Sequence, residues 1–159
     1  RGREVAATLR KRLDRVERLT RDRPRRSVLV VFGRSGEGGA LREVYAAGRG
    51  GLYDEVIALA GGRNAYGKRV PAFPKLGPEG ILQLDPDVIV ELASEGMAGG
   101  HKEEELLGSW QALPGLGAVK AGRVRVLPGE YSEVPGPRLF RLVEELARVV
   151  HPEADWGRP

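Results

Sequence analysis

The sequence predicts an α/β fold in which a mostly parallel central sheet is covered by helices on both faces. Short runs rich in β-branched residues at 27–32, 87–91 and 123–127 alternate with segments of helical periodicity. Strands that are separated by helices generally form parallel sheets. The 159 residues, 41% of them hydrophobic, are enough for one ordinary core. We therefore expect a single lobe with the three layers of an α/β sandwich.

The first predicted helix, residues 4–20, lies in a strongly basic segment. Residues 1–26 hold ten Arg and one Lys against four acidic residues, a net charge of +7, which leaves −3 for the remainder of a chain whose total is +4. Apolar residues recur there at helical spacing, the charges occupy the other face, and no aromatic residue is interleaved. We interpret the charge as a solvated helix face and expect no nucleic-acid partner.

The remaining elements follow from breakers and periodicity. Gly33 ends the first strand, and a polar, Gly-rich loop is expected at 34–40. Helices are predicted at 52–60, from residue 78 to the stop at Asp85, at 101–107 and at 139–150. The loop 128–138 leaves the carboxyl end of the last strand and enters the last helix, which is where open α/β sheets bind ligands. We therefore predict a binding loop there.

Catalytic chemistry finds little support in the composition. The chain has no cysteine, which excludes disulfides, thiolate metal sites and cysteine nucleophiles, and its two histidines, His101 and His151, are far apart. No serine lies in a Gly-x-Ser-x-Gly elbow. We expect a binding protein rather than an enzyme, with no resident cofactor or metal.

Neither a membrane span nor a secretion signal is predicted. The chain has no apolar run near 20 residues, so direct membrane insertion is not expected. It also lacks a charged-apolar-small signal at its start. Because the chain begins at Arg1 without a methionine, we expect a processed or truncated product.

An alternative of another class rests on the glycine-rich segment 33–39. A strand followed by glycines is typical of dinucleotide and phosphate loops, and would make the chain a small nucleotide-binding α/β enzyme domain. Leu41 replaces the third glycine of that pattern, and no Gly-Lys-Ser/Thr ends the loop. We therefore favour a flexible loop facing some other ligand.

Several ordered blocks resemble one family. Residues 48–64 (GRGGLYDEVIALAGGRN), 79–90 (EGILQLDPDVIV) and 110–124 (WQALPGLGAVKAGRV) are similar to the substrate-binding proteins of ABC importers for cobalamin, siderophores and haem. The match is to their C-terminal lobe and spans roughly residues 3–153. The ending PGPRL at 135–139, with LA at 146–147 and HPE at 151–153, resembles cobalamin-binding members most.

The resemblance implies a bilobed, extracytoplasmic protein that holds its ligand between two α/β lobes joined by a rigid helix. Residues 1–24 are similar to that interlobe helix, residues 25–159 to the C-terminal lobe, and the N-terminal lobe is missing from this chain. The implied partners are the transmembrane permease subunits and a small-molecule ligand, with cobalamin or another corrinoid expected first. An iron siderophore or haem is the alternative within the family.

The resemblance also implies site residues. Phe73 lies six residues before Glu79, where cobalamin binders commonly place an aromatic side chain in the cleft, although it is equally interpretable as a core residue. Tyr131 and Glu133 in the binding loop, with Arg34 and Tyr45 near the first strand's end, are further ligand-binding candidates or ordinary surface residues.

Glu79 is similar to the carboxylate with which this lobe docks on the permease. A charge at the rim of an interface steers encounter and fixes register, which suits that role. Its alternative interpretation is an acid in the first turn of a helix, stabilised by the helix dipole.

Overall fold

A long helix precedes the first strand in the chain, as the sequence predicts. The computed structural model describes residues 2–35, 41–69, 73–93, 103–128 and 137–157. Its helices are α1 (Gly2–Thr20), α2 (Leu52–Leu59), α3 (Pro78–Leu84), α4 (Glu103–Trp110), α5 (Gly117–Lys120) and α6 (Pro137–Val150). Its strands are β1 (Ser27–Ser35), β2 (Glu43–Ala46), β3 (Arg63–Asn64), β4 (Lys75–Leu76), β5 (Val88–Ala93) and β6 (Val124–Pro128).

The predicted elements are confirmed with shifted ends, and four short ones were not predicted. β1 continues through Arg34 to Ser35, so the predicted loop begins later than expected. α4 extends to Trp110, and α6 begins at Pro137 instead of residue 139. The sequence did not reveal β2, β3, β4 and α5, each of four residues or fewer.

The sheet is mixed, and three of its five strand pairings are parallel, in agreement with the expectation of a mostly parallel sheet. Its strands lie in the order β4-β2-β1-β5-β6, and β3 pairs with the start of β1. β1 runs parallel to β3 and β5, and β5 parallel to β6, whereas β2 is antiparallel to both β1 and β4. Only residues 36–42 join β1 to β2, too few for the crossover that a parallel pair requires.

Alternate side chains of the two central strands enter two separate hydrophobic layers. Val28, Val30 and Phe32 of β1 pack with α1, α2 and α6, in a layer called here the α6 layer. Leu29 and Val31 face the opposite side, called here the Trp110 layer, which also contains residues of α3, α4 and α5. The period-two alternation of β1 therefore fills both layers of the sandwich.

Only the C-terminal half of α1 packs on the lobe. Val16 and Thr20 are buried, whereas Val5 near its start is 49% exposed. Ala6 and Leu9 of α1, with Leu59 of α2, border an open groove of about 750 Å³. No helix in the described part of the chain is long and apolar enough to cross a bilayer.

The ends of three helices meet at Gly61. A Cβ atom added to Gly61, whose φ is +83°, would lie 2.6 Å from the Cβ of Thr20 and 3.0 Å from Nε2 of His151. That ring nitrogen lies 2.9 Å from the Gly61 carbonyl oxygen, and the side chain of His151 is fully buried. The missing side chain of Gly61 therefore allows α1, α2 and α6 to approach one another closely.

Candidate functional site

A β-bulge lies at the carboxyl end of β1. The pairing with β2 shifts from Val31 opposite Ala46 to Arg34 opposite Val44, so three steps along β1 match only two along β2. Gly33 within this stretch has a φ of 96°, a conformation that glycine adopts without strain. The extra residue changes which face of the sheet the following side chain occupies.

The bulge separates the side chains of Phe32 and Arg34. Without it, the two residues would share one face, because strand side chains alternate with period two. In the structure Phe32 lies in the α6 layer, whereas the guanidinium of Arg34 lies 5.7 Å from the ring centroid of Trp110 on the opposite side. One strand end therefore supplies a side chain to each face.

Four aromatic rings form a pocket of about 360 Å³ on the Phe32 side. Tyr45 of β2, Tyr53 of α2 and Phe73, two residues before β4, line it together with Phe32, Gly33 and Arg34. Phe32 stacks on Tyr53 with ring centroids 5.2 Å apart and contacts Phe73 edge to face at 4.2 Å. Aromatic surfaces held in this way suit a flat apolar ligand.

Phe73 is the exposed member of this aromatic pocket. Its side chain is 56% exposed, while Phe32 beneath it is only 4% exposed. A large apolar ring left in solvent gains free energy when a ligand covers it. The structure thus does not support the interpretation of Phe73 as an ordinary core residue.

Arg34 borders the pocket, but its guanidinium forms an ion pair inside the protein. Its Nε and Nη2 atoms donate to the two carboxylate oxygens of Glu91 at 2.7 and 2.6 Å. The indole nitrogen of Trp110 donates to the same carboxylate at 3.0 Å. Both charged side chains are almost completely buried, 6% and 2% exposed. The guanidinium predicted for ligand binding is therefore held in a bidentate internal ion pair.

Lys75 lies beside the pocket through strand pairing. It is opposite Tyr45 in the antiparallel pair of β2 and β4, and its Nζ atom lies 5.4 Å from the centroid of that tyrosine ring. Directly paired residues on an antiparallel ladder share a face, so a cation lies next to the aromatic wall. Sequence reasoning missed this residue because its only local signal was one lysine among prolines.

The other predicted site residues are separated from the pocket or not described. Glu79 is exposed in the first turn of α3, which follows β4. Tyr131 and Glu133 lie outside the described residues, as does His101. Phe32 and Tyr53 were not predicted as site residues, because a buried strand and an amphipathic helix accounted for them. An aromatic side chain near a glycine was the signal that could have identified them as site residues.

The described structure does not support the nucleotide-binding alternative. A dinucleotide or phosphate loop presents its ligand to the start of a helix that directly follows the strand. After β1 the next described element is β2, a strand. Residues 36–40 of the glycine-rich segment lie outside the described ranges. Among the described residues, no three His, Asp or Glu side chains are arranged to hold a metal ion.

Solved structures share this architecture. The Fe³⁺-hydroxamate transport protein of Saccharomonospora viridis is 26% identical with a TM-score of 0.73, covering 92% of this chain and 48% of that protein. A periplasmic haem-binding protein of Pseudomonas aeruginosa is 26% identical with a TM-score of 0.71, covering 95% and 52%. The haem-binding protein of Roseiflexus sp. RS-1 is 24% identical with a TM-score of 0.72, covering 95% and 56%.

The chain spans about half the length of these structures. No curated protein shows a significant sequence match. The sequence pattern of the family described as "Periplasmic binding protein" matches residues 1–131, most of the chain. This chain therefore belongs to the periplasmic binding protein family, whose solved relatives include ABC-transporter substrate-binding proteins.

Proposed function

We propose that this chain is the C-terminal lobe of an ABC importer's substrate-binding component, and that its aromatic pocket holds a ring-bearing metal chelate outside the cytoplasm. The pocket of Phe32, Tyr45, Tyr53 and Phe73 carries the proposal. It lies at the carboxyl end of β1, where α/β sheets bind ligands. Capture and delivery require no bond to be made or broken, so the lobe acts as a binding protein and not as an enzyme.

Three ligand classes are candidates for the pocket. A corrinoid such as cobalamin is the class that the sequence blocks suggest, and haem presents a comparable flat ring. Relatives described as haem-binding and as Fe³⁺-hydroxamate transport proteins support haem and ferric siderophores. The pocket of about 360 Å³ covers one face of such a ligand, and we place the facing wall on a second lobe.

The test is a titration that separates binding from folding. Zinc protoporphyrin, cyanocobalamin and a ferric hydroxamate are each added to the chain, and tryptophan quenching or ligand absorbance gives the affinity. Phe73→Ala is expected to weaken binding of the successful ligand about two- to ten-fold, because an aromatic pair contributes about 0.5–1.5 kcal/mol beyond its buried area. Its melting temperature should remain unchanged, since Phe73 is mostly exposed.

Leu59→Ala provides the matched control. This side chain is also apolar and 49% exposed, but it borders the α1 groove and not the aromatic pocket. Its affinity should equal that of the wild type. Failure of all three ligands to bind, or equal affinities for Phe73→Ala and the wild type, would contradict the proposed site.

Docking to the permease is proposed to use Glu79. Its carboxylate is exposed at the start of α3 and forms no ion pair with another described side chain, so a basic residue of a partner can reach it. Binding of the chain to permease in nanodiscs should weaken for Glu79→Lys. Glu55→Lys, an exposed acid in the first turn of α2, is the control and should bind normally. Equal loss for both variants would indicate a nonspecific charge effect.

A further inference from the structure

We infer that Lys75 is a specificity-determining residue that selects ring ligands carrying a carboxylate substituent over ring ligands with uncharged edges. The inference rests on the proposed function, since it concerns the same aromatic pocket. Among the described residues that line the pocket, Arg34 alone is charged, and the Glu91 carboxylate binds it, so the pair is neutral overall.

Lys75 differs from Arg34 in having no acidic partner among the described residues. Its side chain is exposed, and its only described interaction is with the ring of Tyr45, 5.4 Å away. A lysine stem can extend along an aromatic surface while its ammonium group remains in solvent. The charge of Lys75 thus remains available at the edge of the pocket to a ligand.

Strand pairing fixes the direction from which this charge acts. Tyr45 lines the pocket and Lys75 lies opposite it on β4, just beyond Phe73 in the chain. A flat ligand that covers the aromatic pocket therefore lies beside the ammonium group, which charged substituents on the ligand can approach. Lysine acts as a compact point charge there and needs no particular geometry of the anionic group.

The edge groups of candidate ligands differ in charge. A protoporphyrin ring carries two propionate carboxylates, whereas the corrin ring of cobalamin carries amides at its edge. A positive charge at the rim favours the carboxylate-bearing ring. Lys75 therefore favours a haem-like ligand over a corrinoid, in contrast to the preference suggested by the sequence blocks.

Zinc protoporphyrin IX and its dimethyl ester provide the test, because they share one ring and differ in edge charge. Lys75→Gln keeps the side-chain stem and removes the charge, and Lys120→Gln, an exposed lysine on α5, is the control. Fluorescence titration should show Lys75→Gln weakening free-acid binding about three- to ten-fold, the range for an exposed to partly buried ion pair. Ester binding should remain within about two-fold, as should both affinities of Lys120→Gln.

Salt supplies a second readout. Raising NaCl from about 0.02 to about 0.5 M should weaken free-acid binding by the wild type more than by Lys75→Gln, because salt screens the ion pair. Equal losses for acid and ester in Lys75→Gln would show that Lys75 shapes the pocket, and no loss for either would show that it has no role. Both results overturn the inference and leave the proposed function intact. A wild-type chain that binds neither compound nor any other ring ligand would overturn both.

Discussion

Replacing Glu91 by leucine should destabilise the lobe far more than replacing Glu91 and Arg34 together. Glu91 is 1% exposed and accepts two hydrogen bonds from Arg34 and one from Trp110. In Glu91→Leu the buried guanidinium loses its carboxylate, whereas Arg34→Met with Glu91→Leu removes both charges. A buried pair is costly to break but is often replaceable by apolar residues of similar volume.

The contacts of the ion pair determine the expected loss in the free energy of unfolding. Removing one partner of a buried ion pair costs about 3–5 kcal/mol, and the lower end applies because the Leu106 carbonyl, 3.4 Å from Nη2 of Arg34, remains as an acceptor. The Trp110 indole N–H, left without an acceptor, adds about 1 kcal/mol. The single variant should therefore lose about 4 kcal/mol, or about 8–16 °C in melting temperature. The double variant should lose only the indole contribution of about 1 kcal/mol.

Urea denaturation followed by far-UV circular dichroism measures both values, and it avoids fluorescence changes from Trp110 itself. Glu104→Leu, an exposed acid in the first turn of α4, serves as control and should change the free energy of unfolding by less than about 1 kcal/mol. The reasoning would be refuted by a double variant as unstable as Glu91→Leu, or by a single variant that loses less than about 1 kcal/mol.

Two further predictions concern the junction of helix ends. Burial alone raises the pKa of the Glu153 carboxyl, but its own backbone N–H and Arg26 lower that pKa to about 2. Its stabilisation is therefore complete above about pH 4.5 and is lost as the pH falls through 2. Since the side chain is 38% exposed, Glu153→Gln should cost only about 1–2 kcal/mol at pH 7 and less than about 0.5 kcal/mol near pH 2. Melting curves at both pH values check this. Gly61→Ala should lower the free energy of unfolding by at least about 2 kcal/mol, because the added Cβ would clash with Thr20 at a residue of positive φ. A Cβ added at Gly67 has no atom within 4 Å, so the control Gly67→Ala should lose less than about 1 kcal/mol. Equal denaturation midpoints for the two variants would contradict this.

The long elements were predictable because their signals are local. Residues 28–32 form a continuous apolar run rich in valine, and burial on both faces follows from it. β1 extends to Ser35 through its pairing with β2, and Arg34 is held by Glu91, 57 residues away in the sequence. No local pattern indicates either partner. β2 and β4 are too short to show periodicity, so the antiparallel part of the sheet could not be predicted.

The residues of the candidate site were likewise predicted only in part. Phe73 was selected from its position in the family and Tyr45 from its place near the end of the first strand, and the structure brings both into one pocket. Phe32 and Tyr53 were missed because an apolar residue in a strand or helix is interpretable as core without further information. The orientation of Arg34 depends on one extra residue at the bulge, which sequence alternation alone cannot show.

The bulge at Gly33 also separates residues that can be substituted from residues that stabilise the fold. Since Phe32 and Arg34 lie on opposite faces of the sheet, the rings of the pocket can be exchanged without disturbing the ion pair that anchors the strand end. A lobe built in this way can acquire a new ligand through substitutions on one face while its scaffold is maintained by the other. Regular pairing that kept Gly33 but lost the bulge would couple the two, because Arg34 would then share the face of Phe32 and leave Glu91 behind.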